Sequence, residues 1–111
     1  MTPTTDQEKS YDVEELFYSS TSPNSKIVSF NEVFYRVSEY SPEELVGQLH
    51  NVIRHPDMPR AVFQIFWEFI ESGKIIVAYV KNRTQTGKYY WVLACVIPIQ
   101  NAEGRIVRYV S

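Results

Sequence analysis

A single cysteine among 111 residues, Cys95, leaves nothing to pair in a disulfide framework and no thiolate cluster for zinc. No apolar run approaches membrane length, and the N-terminus Met1-Thr2-Pro3-Thr4-Thr5-Asp6-Gln7 lacks a basic, apolar signal segment. A cytoplasmic compartment without membrane insertion is the expectation. Charge is nearly balanced at −2, which disfavours nucleic acid and anionic membranes as partners. There is no Ser/His/Asp or Cys/His pattern, no phosphate loop and no internal repeat, so enzyme chemistry is not expected. What the chain does have is apolar residues at 44% and aromatics at 14%, enough for one packed domain rich in β-structure.

The pattern along the chain is a series of short elements. Residues 1–12 are polar and read as a flexible N-terminal segment or cap. Residues 16–21 and 27–30 read as two strands joined by turn chemistry at Ser22-Pro23-Asn24-Ser25-Lys26. Asn31 is placed to cap a short helix over 32–37, and Ser41-Pro42-Glu43-Glu44 carries a capping box with proline at the first helical position. The longest helix is predicted over 59–72, with Asp57 as its N-cap and Gly73 as its terminator. Arg60, Gln64, Glu68 and Glu71 form its one solvent stripe, and the remaining positions are apolar. Residues 75–81 read as a central buried strand because they are almost all apolar. A turn at 84–88, a long strand over 89–99, a turn at 101–104 and a final strand over 105–111 complete an α+β order, β-β-α-α-α-β-β-β. The last strand pattern runs up to Ser111, from which continuation in a longer signalling protein is expected.

The densest polar cluster is His50-Asn51-Val52-Ile53-Arg54-His55-Pro56-Asp57-Met58-Pro59, where the prolines restrict the backbone directly ahead of the apolar helix. Arg54 offers a fork for phosphate or carboxylate, or else a surface ion pair. His55 offers a hydrogen bond to a ligand or a structural contact to the backbone. Asp57 as a helix cap contributes about 1 kcal/mol. Phe63, Phe66 and Trp67 line a flat ligand's pocket or simply fill core. Asn82, at the end of an apolar strand, needs partners for its amide, from a ligand or from a turn. His50, His55 and Asp57 have no recognised metal-ligand spacing, and no metal site is expected.

The element order and these residues together resemble the PAS family, a five-stranded antiparallel sheet with helices on one face. Residues 37–47, Val37-Ser38-Glu39-Tyr40-Ser41-Pro42-Glu43-Glu44-Leu45-Val46-Gly47, are similar to the family's paired short helices. The cluster at 50–59, then Phe63 and Trp67, Val80-Lys81-Asn82-Arg83 and Tyr90-Trp91-Val92, resembles the sensor of bacterial aerotaxis receptors over roughly residues 13–111. That resemblance implies a sensory domain holding FAD noncovalently, with Arg54, His55 and Asp57 at cofactor-binding positions. It also implies Trp67 beside the cofactor and Asn31 and Asn82 beside the flavin ring or its supporting network. The sequence departs from the pattern at Glu39, Ile76, Ala78, Leu93 and Cys95.

Two other functions compete. Trp91, Leu93, Cys95 and Ile97 share one face of a strand at period two, which predicts a homodimer or docking module without cofactor if that face points outward. Heme is the other, held through His50 or His55. Light-driven flavin–cysteine adduct formation is not expected from the setting of Cys95, on a strand and outside any Asn-Cys-Arg context. The output partner implied by the resemblance is a downstream signalling domain such as a chemotaxis transducer.

Overall fold

A computed structural model describes residues 3–111. Five antiparallel strands run β1 (Ser19–Thr21), β2 (Ile27–Phe30), β3 (Ile76–Arg83), β4 (Tyr89–Gln100) and β5 (Ile106–Val110). They are ordered β2-β1-β5-β4-β3 across one sheet. Between β2 and β3 lie α1 (Glu32–Ser38), α2 (Pro42–Leu45), a 3-10 turn at His50–Ile53 and α3 (Arg60–Glu71). This is the expected α+β order.

Local chemistry places the short helices. The Asn31 side chain accepts from the Phe34 N–H at 3.1 Å, starting α1, and both halves of the Ser41/Glu44 capping box are formed. Gly73, at φ +87, takes the left-handed turn that stops α3. The cap of α3 differs from expectation. Pro59 occupies the N-cap with no side-chain hydrogen bond, while Asp57 turns outward to Lys81 at 2.7 Å. Pro56 and Pro59 bracket a turn closed by the Met58 N–H on the His55 carbonyl at 3.0 Å. Asp57 is thereby too early in the chain to reach the first helical amides.

The strand over 75–81 also differs. It is the outer edge of the sheet, not its centre, and its apolar residues alternate between two environments. Ile75, Val77 and Tyr79 are exposed on the outer face, while Val80 and Asn82 face inward. Apolarity on both faces here reflects an uncovered outer surface rather than burial.

Strand β4 changes partner part-way along its length. Tyr89 to Val96 pair with β3, and Ile97 to Gln100 pair with β5. Beside the first stretch lies the N-terminal segment: the Tyr89 N–H donates to Gln7 at 2.9 Å, and the Lys9 N–H to the Tyr89 carbonyl at 2.8 Å. Tyr11 extends this, its hydroxyl donating to the Trp91 carbonyl. Gly87 admits the segment closely, since a Cβ there would lie 2.1 Å from the Pro3 carbonyl oxygen. The N-terminal segment thus lies against the β3–β4 hairpin; Met1 and Thr2 fall outside the described residues.

The apolar interior is divided. Ile27, Phe34, Leu45 and Ile53 form one buried cluster around the short helices. Ile70, Val96 and Tyr109 form another between α3 and the sheet, with Trp67, Phe66 and Ile76 packed against it.

Candidate functional site

Between the two clusters lies a cavity of about 610 Å³, within the range of about 300–1,000 Å³ typical of small-molecule sites. Its walls come from both clusters, Phe34 and Ile53 on one side and Phe66, Trp67, Ile70, Val96 and Tyr109 on the other. The sheet contributes the inward faces of β3 and β4, through Val80, Asn82, Tyr90 and Val92. The strong amphipathic pattern of α3 does not end in full burial. Only Ile70 is buried, because the helix stands off the sheet around this space.

Asn82 and Tyr90 are directly opposed across the β3–β4 ladder, and both line the cavity. Both are buried, and burial raises the Tyr90 hydroxyl well above its ordinary pKa, so it remains a neutral donor. Phe17 stacks on Tyr90 with centroids 6.0 Å apart and Tyr11 meets it edge-on at 6.5 Å. Trp67 stands edge-on to Tyr109 at 5.6 Å, which fixes its indole in the wall.

The polar cluster over 50–59 splits across this site. Its first residue, His50, lines the cavity. Arg54 instead lies with its guanidinium 5.2 Å from the centre of the Phe63 ring. There it borders a shallower cleft of about 390 Å³ with Asn51, Arg60, Phe63, Gln64 and Trp67. Trp67 lines both spaces and is the link between them.

His55 is 4% exposed but faces β3, outside the residues that line the cavity. Its N–H donates to the Lys81 carbonyl at 3.2 Å, and its Nδ1 accepts from the Asp57 N–H at 3.0 Å. Burial, reinforced by the Lys81 cation, lowers its pKa against the opposing pull of Asp57. The Asp57 carboxylate is exposed and held below the usual range by its hydrogen bond from Lys81. Asn31 is likewise committed to structure. Its carbonyl oxygen takes the Phe34 and Tyr18 N–H groups at 3.1 Å each, and its amide donates to the Leu16 carbonyl at 2.8 Å. Of the seven candidates from sequence, Trp67 and Asn82 are brought into the cavity and Arg54 and Phe63 border the cleft beside it. Asn31, His55 and Asp57 lie outside both.

Sequence reasoning gave Ser19 no part in the site. Nothing local marks it, because its position depends on a contact made 31 residues away along the chain. Glu39, a departure from the family pattern, ends α1 in the left-handed region at φ 66. Its side chain meets Lys9 at 3.3 Å, Lys88 at 3.7 Å and Thr86, tying the N-terminal segment to the hairpin. Burial opposes its ionisation, but hydrogen bonds from Thr86, Thr84 and Lys9 outweigh it and hold the pKa near about 2. Among the described residues no cluster of His, Cys, Asp and Glu is arranged to hold a metal, and no helix is long and apolar enough to cross a membrane.

The model of the PAS fold family matches residues 27–111. The chain belongs to the PAS family. It is 43% identical to the aerotaxis receptor of Escherichia coli (strain K12) over 93 residues, which is 84% of this PAS chain and 18% of that receptor. It is 25% identical to phototropin-2 of Oryza sativa subsp. japonica over 92 residues, 83% of the chain and 10% of that protein. Against these curated relatives the PAS chain spans less than a fifth of their length. Among solved structures, the dark state of the blue-light photoreceptor aureochrome1 LOV domain superposes with a TM-score of 0.75 at 28% identity. That likeness covers 85% of this chain and 70% of the other. The chain is therefore a PAS module related to an aerotaxis receptor and to LOV photoreceptor domains.

Proposed function

We propose that this chain is a cytoplasmic PAS sensory module that holds a flavin, FAD, in the cavity and passes its redox state to an output domain such as a chemotaxis transducer. Residues 13–111 form the sensory body and the preceding segment its cap. The observation that carries the proposal is the apolar cavity that separates two cores and places Trp67 and the buried Asn82–Tyr90 pair on one lining. A carboxamide such as Asn82 matches the alternating donors and acceptors on a flavin ring edge, and Trp67 supplies a flat apolar wall. Arg54 and Arg60, beside the same indole, suit the phosphates of the cofactor's tail. His55 and Asp57 support the bound state by fixing the backbone that carries Arg54, and Asn31 by fixing the start of α1. A bound flavin supplies reversible electron storage. The module's own task is to bind and orient the ring, exclude water from it, and respond to its altered hydrogen bonding.

The test is the visible spectrum of the purified protein, before and after added FAD. Flavin bands bleached by dithionite are expected. A preparation that stays colourless and leaves added FAD unquenched overturns the proposal, and a Soret band replaces flavin with heme.

A second function is favoured by the outer sheet face. Val77, Tyr79 and Leu93 are 59%, 72% and 60% exposed, next to Trp91 and the exposed Cys95. Val77 is paired with Cys95 and Tyr79 with Leu93, so the patch is continuous across β3 and β4. A second copy of the chain is proposed to cover it. Sedimentation over a concentration series should show a dimer that Leu93→Glu abolishes; a monomer at the highest concentration excludes it.

A further inference from the structure

One polar pair on the cavity wall is unused by the function proposed above. His50 Nε2 lies 3.1 Å from the Ser19 hydroxyl, and both residues line the cavity. The two are held from different directions. The His50 backbone N–H donates to the Ser25 carbonyl at 2.8 Å, and its ring lies 5.8 Å from that of Phe34. Ser19 is 2% exposed and bonded both ways to the end of the sheet. Its N–H donates to the Ser111 carbonyl at 3.1 Å, and its carbonyl accepts the Ser111 N–H at 2.8 Å.

Burial lowers the His50 pKa to about 4, against a hydrogen bond to its own backbone, so the ring is neutral near pH 7. A neutral imidazole keeps one donor and one acceptor nitrogen, and a hydroxyl both donates and accepts. The pair can therefore reverse the direction of its hydrogen bond without taking up charge. Among the described residues no lysine or arginine lines the cavity, and the one carboxylate on its wall, Glu15, is already ion-paired with Arg36, so a ligand portion seated there is best matched when it is uncharged.

Taking the flavin-binding function as its basis, we propose that Ser19 and His50 contact the uncharged ring of the bound flavin. They do so from the β1 side as Asn82 does from the β3 side, and Ser19 couples the contact to the β1–β5 seam. A change in the ring's donor and acceptor pattern would reset the direction of the Ser19–His50 bond. The serine whose backbone joins β1 to Ser111 then carries the change to the sheet.

The experiment uses riboflavin and FAD as probes on the full chain. In ¹⁵N spectra of the histidine rings, adding flavin should shift the His50 signals and leave those of His55, outside the cavity, in place. Ser19→Ala should weaken flavin binding about tenfold, move the visible band, and leave far-ultraviolet circular dichroism unchanged. Amide exchange at Ser19 and Ser111 should slow on binding in the wild type and less so in Ser19→Ala. If the wild type binds flavin while the His50 signals stay put and Ser19→Ala binds equally well, this assignment fails and the flavin function stands. If the wild type binds no flavin, both are withdrawn.

Discussion

His50 and His55 sit five residues apart in the same proline-bracketed stretch, and both rings are pushed toward the neutral form chiefly by burial. Their surroundings nonetheless give them different work. The His55 ring is closed into its own backbone turn by the Asp57 amide and backs onto β3. The His50 ring reaches across the fold to Ser19 and borders open space. Desolvation alone does not identify a ligand site; what completes the ring's hydrogen bonds, and what lies beyond it, does.

The contrast can be broken in order of expected effect. Ile53, the buried last residue of the 3-10 turn that begins at His50, anchors the inner half of the stretch in the first core. Ile53→Ala should cost about 2–5 kcal/mol in urea unfolding, since it deletes buried methyl groups beside an existing void. A loss under 1 kcal/mol would show that the inner half is not held by that core. If the cavity takes flavin, a hundredfold excess over its Kd should raise stability by about 2.7 kcal/mol, because the ligand binds the folded chain and not the unfolded one. An unchanged melting temperature would mean that the cavity does not take it.

At the outer half, His55→Ala should cost about 1–3 kcal/mol by removing a buried acceptor and its packing. It should leave the position of the flavin absorption band where it is; a moved band would place His55 at the ring.

Acid should separate the halves further. The His50 pKa falls from 6.5 unfolded to about 4 folded, so the unfolded chain binds more protons in that window and stability declines as pH drops through it. His50→Phe should shrink the fall of the urea midpoint between pH 7 and pH 5, above the range in which Glu39 begins to protonate, and leave the smaller part that His55 contributes in the same direction. The smallest change is expected from Asp57→Asn, which removes an exposed partner of Lys81. The lowered pKa of Asp57 makes its contribution present at neutral pH and lost as acid protonates it, so wild type and variant should converge in melting temperature at low pH.

The parts of the fold legible in the sequence were those set by neighbours along the chain. The Asn31 and Ser41 caps, the Gly73 stop and the hairpin turns each depend on a few consecutive residues. The edge position of β3 was hidden because an apolar outer face reads the same as a buried one until strand order is known. The cap of α3 was misassigned to Asp57 because two prolines reset the turn before the helix began. The cavity was legible through Trp67 and Asn82, whose amphipathic and end-of-strand positions point inward. Ser19 was not, since only the folding of β1 against the 3-10 turn brings it to His50.

The chain has two tryptophans, and the sheet divides them. Trp67 borders the cavity, whereas Trp91 is 46% exposed on the opposite surface. Their fluorescence therefore forms two optical channels, one dimmed by whatever fills the interior and the other altered by whatever covers the outside. Single Trp→Phe variants would let occupancy and assembly be followed separately in the same unlabelled protein.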